Sequence, residues 1–124
     1  MGMMEEMARR ASEGQTVNFR PRGNSMRPIV SSGDLVTVAP LADPSLLEVG
    51  DVVLVRVAGT TYLHLVSAVD PQRARVQIRN NRGRVNGWAP FRQVHGICTE
   101  VEGIERPKSA AKARSQPEDE IAPP

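Results

Sequence analysis

The sequence is poor in cysteine, in aromatic side chains and in long apolar runs. Its single cysteine, Cys98, excludes an internal disulfide. Cys98 lies among Val94, Gly96 and Ile97, a setting that predicts a buried thiol and a reducing compartment. The four aromatics, Phe19, Tyr62, Trp88 and Phe91, are too few for a base-stacking surface, so nucleic acid is not the expected partner. No stretch approaches the ~20 apolar residues of a membrane-spanning helix. Residues 1–10 carry Glu5 and Glu6 and lack the apolar centre of a secretory signal, so a cytoplasmic protein is expected. Two histidines and one cysteine offer no zinc-ligand spacing, and there is no Gly-rich phosphate loop; no metal or cofactor is expected.

What is present is a chain of 124 residues with net charge +2, suited to one domain and one core. Met3, Met4, Met7 and Ala11 recur at helical spacing, and Gly14 ends the pattern, which predicts a short helix over 3–12. From Thr16 the period becomes strand-like. Short β-rich runs follow at 17–19, 35–38, 52–57, 61–69, 75–78 and 94–101, separated by Gly, Pro, Asp and Asn turns. Ala58-Gly59-Thr60 reads as a hairpin turn, and 80–87 as a Gly/Asn-rich loop. Beyond Gly103 the apolar period is lost, and residues 104–124 read as a disordered tail. The organisation expected is an N-terminal helical arm (1–15), a β domain (16–103) and that tail. The fold class expected is mainly β, a coiled barrel or sandwich of short antiparallel strands.

Ser25 is the first candidate for chemistry. It stands in Gly23-Asn24-Ser25-Met26-Arg27-Pro28, a loop that Gly and Pro hold out of regular pairing. A nucleophilic serine needs such a bend, with backbone N–H groups near Asn24 and Ser25 left free for an oxyanion. A serine in a Gly/Pro loop is also a common turn residue.

The box resembles the Gly-x-Ser-Met-x-Pro motif around the nucleophile of the signal-peptidase and SOS-repressor (LexA-like) serine peptidases. Gly33-Asp34 follows at the short distance seen in that clan. Gly50-Asp51-Val52-Val53 resembles its second Gly-Asp box, and Tyr62 to Val66 resembles the strand bearing its catalytic base. The similarity spans residues 17–101. It implies a small serine endopeptidase, with a protein or peptide substrate running past Met26 and Pro28, and a possible homodimer. It also implies a departure. Where the clan places lysine this chain has His64, and no lysine occurs between Gly23 and Val101. A Ser–His dyad of Ser25 and His64 is one reading, similar to the endoplasmic-reticulum signal peptidases. The other is a degenerate peptidase-like module that binds or regulates a partner. The loop that supplies an acidic helper in the clan has no Asp or Glu here. Asn80, Asn81 or Asn86 can orient an imidazole instead, or serve only as turn residues. Arg73, Arg75, Arg79, Arg82, Arg84 and Arg92 cluster in sequence, as a solvated edge or as a surface for an acidic partner.

Overall fold

A computed structural model describes residues 2–114. The protein is mainly β. The elements in chain order are α1 (Met3–Ser12), β1 (Val17–Phe19), β2 (Val36–Ala39), β3 (Val52–Val57), β4 (Thr60–Asp70), β5 (Arg75–Arg79), β6 (Val85–Pro90), β7 (Val94–Val101) and β8 (Ile104–Glu105). All pairings between these strands are antiparallel, in the order β1-β2-β7-β3-β4-β5-β6, with β8 continuing on β7.

The long central strands are apolar on both faces because the sheet coils over itself. Val52 and Leu54 of β3 enter one core with Leu63 and Leu65 of β4 and Met7 and Ala8 of α1. Val53, Val55 and Val57 enter a second core with Val66, Val76, Ile78 and Ile97. Coiling brings β6 over β3, although two strands separate them in the sheet: a Cβ on Gly87 would lie 3.3 Å from Val57 Cγ1. The hairpin between β3 and β4 turns on Ala58 and Gly59, both at positive φ (49° and 86°), as a tight two-residue turn demands.

Helix α1 spans the segment that its apolar spacing predicts, and it buries Met7, Ala8 and Ala11. Two parts of the chain differ from the sequence expectation. Residues 85–90, partly read as loop, form strand β6. Gly87 and Pro90 mask it, and its cross-strand neighbour β5 supplies the pairing that its own propensity lacks. Residues 104–114, assigned to a disordered tail, fold back onto the domain. They form β8, a turn of 3₁₀ helix at Ala110–Lys112 and a bridge from Ala113 to Leu41. Lys112 anchors this segment: its Nζ donates to both oxygens of the buried Asp51 at 2.9 Å and to Glu48 at 2.7 Å. The rest of the expected tail lies outside the described residues.

Candidate active site

Strand β4 and the loop between β1 and β2 build the site. On β4, alternation sends Leu63 and Leu65 into one core and turns Tyr62 and His64 to the opposite face. The two rings stack there, centroids 4.6 Å apart and planes 21° from parallel, which fixes the imidazole plane. The 23–28 loop lies against this face. Met26 is buried beneath it in the first core and pins the loop. Gly23, at φ 112°, makes a bend that a side chain would strain.

Ser25 Oγ lies 3.2 Å from His64 Nε2. His64 Nδ1 lies 2.7 Å from Asn86 Oδ1. With the amide oxygen of Asn86 facing Nδ1, the ring carries its proton there, and Nε2 presents a lone pair to the hydroxyl. His64 is 7 % exposed. Burial pushes its pKa below the ordinary 6.5, and the hydrogen bond that Nδ1–H donates to Asn86 offsets this only in part. The ring is therefore neutral at pH 7, the state in which it can accept a proton.

Asn86 reaches His64 through an irregularity in the β5–β6 pairing. Ile78 opposes Gly87 and Arg79 opposes Val85, which leaves Asn86 as an extra residue. Such a bulge bends the strand and re-aims one side chain. Asn80 and Asn81 do other work. Asn80 Oδ1 accepts the N–H groups of Arg82 and Arg84, each at 2.9 Å, and closes its own loop. The Asn81 N–H donates to the Ser25 carbonyl at 2.8 Å, and its Nδ2 donates to the Arg27 carbonyl at 2.8 Å. Asn81 thus holds the serine loop in place, and neither residue bonds the imidazole. Bulge position is invisible in sequence, so the three asparagines were indistinguishable there.

The remaining sequence candidates divide. The Asn24 carbonyl accepts the Arg27 N–H at 3.3 Å and Arg82 Nη1 at 3.4 Å. The Ser25 N–H has no hydrogen-bond partner among the described residues, so it is open to an oxyanion. Met26 lines the cavity beside Ser25, whereas Pro28, after a cis peptide, is exposed and off its wall. That cavity measures about 180 Å³, and Met4 of α1, Arg22, Tyr62 and His64 also line it. Asp34 and Asp51 are turn residues: Asp34 accepts the Ser31 N–H and Asp51 the Glu48 N–H, each at 2.8 Å. Lys112, one of the two lysines in the chain, is held by Asp51 and Glu48 and does not line the cavity. Cys98 is fully buried, and burial raises its pKa to about 11, so it is not a nucleophile. No cluster of three metal-ligating side chains occurs among the described residues. No helix among them is long and apolar enough to cross a membrane.

The chain matches no protein-family model, no curated protein and no solved structure.

Proposed function

We propose that this protein is a small serine peptidase of the signal-peptidase and SOS-repressor type, with Ser25 as nucleophile, His64 as base and Asn86 as the group that orients it. One observation carries the reading. A serine hydroxyl, a neutral imidazole and an amide oxygen stand in line at 3.2 and 2.7 Å, at the wall of a cavity. Hydrogen-bond reach between nucleophile and base is the geometric requirement for this chemistry.

In the first step Ser25 Oγ bonds to the scissile carbonyl carbon while its proton passes to His64 Nε2. The carbonyl π electrons move to oxygen, and the Ser25 N–H holds the resulting oxyanion. The carbon–nitrogen bond then breaks, and the imidazolium returns its proton to the departing amine. Water repeats the sequence on the acyl-enzyme and frees Ser25. Asn86 accepts from Nδ1 throughout, but as a neutral group it stabilises the imidazolium less than a carboxylate would. A cytoplasmic site of action belongs to the same proposal.

The test is acylation by a fluorophosphonate probe with mass-spectrometric mapping. Labelling at Ser25 is expected, with loss in Ser25→Ala and a fall of at least a hundredfold in rate in His64→Ala. Labelling of Ser25 that proceeds unchanged in His64→Ala sinks the dyad. No labelling of the folded wild-type protein leaves the binding-module reading in its place.

A further inference from the structure

We infer that the substrate segment is an extended peptide with acidic side chains flanking the bond to be cut. This rests on the peptidase reading above and adds a substrate class to it.

The cavity beside Ser25 has an arginine on its wall and no acidic residue. Arg22 lines it, and its other lining residues include no Asp or Glu. Arg27 is exposed two residues from Ser25. The 80–84 loop leans on the serine loop through Asn81 and through Arg82, whose Nη1 touches the Asn24 carbonyl. Arg84 stands exposed on that same loop. Among the described residues, Arg22, Arg27, Arg82 and Arg84 make no ion pair.

Four other arginines are ion-paired, whereas Arg10, Arg56, Arg79, Arg92, Arg106 and Arg114 make no ion pair among the described residues either. Arg9 holds Glu6 and Glu13, Arg20 holds Glu102, and Arg73 and Arg75 share Asp70. Asp34, the acid nearest the serine loop in sequence, commits its carboxylate to the Ser31 N–H. What sets the site apart is the grouping: four exposed arginines without an ion pair fall on the two loops that flank one hydroxyl, and no carboxylate lines the cavity there. Such a rim raises the local concentration of negatively charged segments and fixes their register by charge-assisted contacts.

A nucleic acid is the other polyanion to consider. It is disfavoured because Trp88 is the one exposed large aromatic, with Arg75 over one face of its ring at 4.3 Å, and a lone ring makes no platform for successive bases.

The experiment separates binding from turnover. Fluorophosphonate labelling of wild-type protein reports the Ser25 chemistry alone. Binding is read on Ser25→Ala with three fluorescein-labelled dodecapeptides that share an Ala-rich centre and carry flanking Asp/Glu, Asn/Gln or Lys. The acidic peptide is expected to bind at least tenfold tighter than the amide peptide at 20 mM NaCl, with most of the difference gone at 500 mM. Adding Arg22→Glu and Arg27→Glu is expected to reverse the order in favour of the lysine peptide, with the thermal midpoint confirming that this variant is folded. Equal binding of the acidic and amide peptides overturns the inference, even where Ser25 labels normally. So does a single-stranded oligonucleotide that outcompetes the acidic peptide. Acid preference without any labelling keeps the surface and refutes the peptidase.

Discussion

Asn86 decides how basic the imidazole beside Ser25 can be. Its oxygen holds Nδ1–H at 2.7 Å and raises the pKa of His64 against the larger lowering effect of burial. The group must be unprotonated to act, so activity is expected to rise with pH through a pKa below 6.5 and to level off by neutrality. Asn86→Ala removes the raising influence, so the acid limb of the pH–rate profile should move to lower pH. The rate at pH 7 should fall about tenfold, the worth of one oriented hydrogen bond. Asn86→Asp places a negative charge beside Nδ1 and should move the same limb to higher pH. Acylation rates between pH 4.5 and 8 check both directions. A limb that stays in place in both variants would remove Asn86 from the site. None of this was legible residue by residue. Ser25 and His64 stood out by their neighbours, whereas Asn86 shares its residue type with Asn80 and Asn81 and differs only in lying at the bulge.

At the scale of elements, β7 holds the sheet together by pairing with β2, β3 and β8. Its position 96 must be glycine for α1 and β2 to seat. A Cβ there would lie 2.7 Å from Val38 Cγ1, 2.9 Å from the Ala39 carbonyl oxygen and 3.4 Å from Ala11 Cβ. The carbonyl is backbone and cannot swing aside. Gly96→Ala should therefore cost roughly 1–3 kcal/mol through overpacking, read as a lower denaturant midpoint. Met4 of α1 lines the cavity, so the same variant should also slow Ser25 acylation. An unchanged midpoint would show that β2 yields to the added methyl at Val38 and Ala39, and would overturn the packing argument. The strands of the two cores were readable from alternation and turn residues because their burial is local and strong. Strand β6 was not, since its Asn, Gly and Pro carry turn signals and its place is set by pairing with β5.

At the scale of the whole molecule, the segment after β7 acts as a strap. Lys112 crosses back to Asp51 and Glu48, and Arg106 Nη2 donates to the Gly50 carbonyl at 3.0 Å. Burial alone would lower the pKa of Lys112, but its bonds to Glu48 and Asp51 together raise it, so the ammonium stays charged. Lys112→Ala leaves Asp51 buried without a counter-charge and should destabilise the fold by about 3 kcal/mol. Lys112→Met with Asp51→Asn should recover a large part of that loss, because a neutral pair needs no compensation. Urea titrations of the two variants against wild type make the test; equal midpoints would overturn it. The strap escaped sequence reading because its hold comes from one ion pair in a segment of Pro, Ala, Lys and Arg, with no apolar period to announce it.

The Gly23–Pro28 box, the two Gly-Asp turns and the alternating apolar runs were sufficient by themselves for a mainly β fold, for singling out Ser25 as a candidate and for the lack of any lysine between Gly23 and Val101. These are properties of short windows, where backbone freedom and side-chain period act within a few residues. Only the tertiary structure decided that His64 meets Ser25, that Asn86 holds its far nitrogen, and that Lys112 is spent on Asp51. Each of these joins strands or segments more than 20 residues apart in the chain. Such distances are set by how the sheet coils and where it bulges.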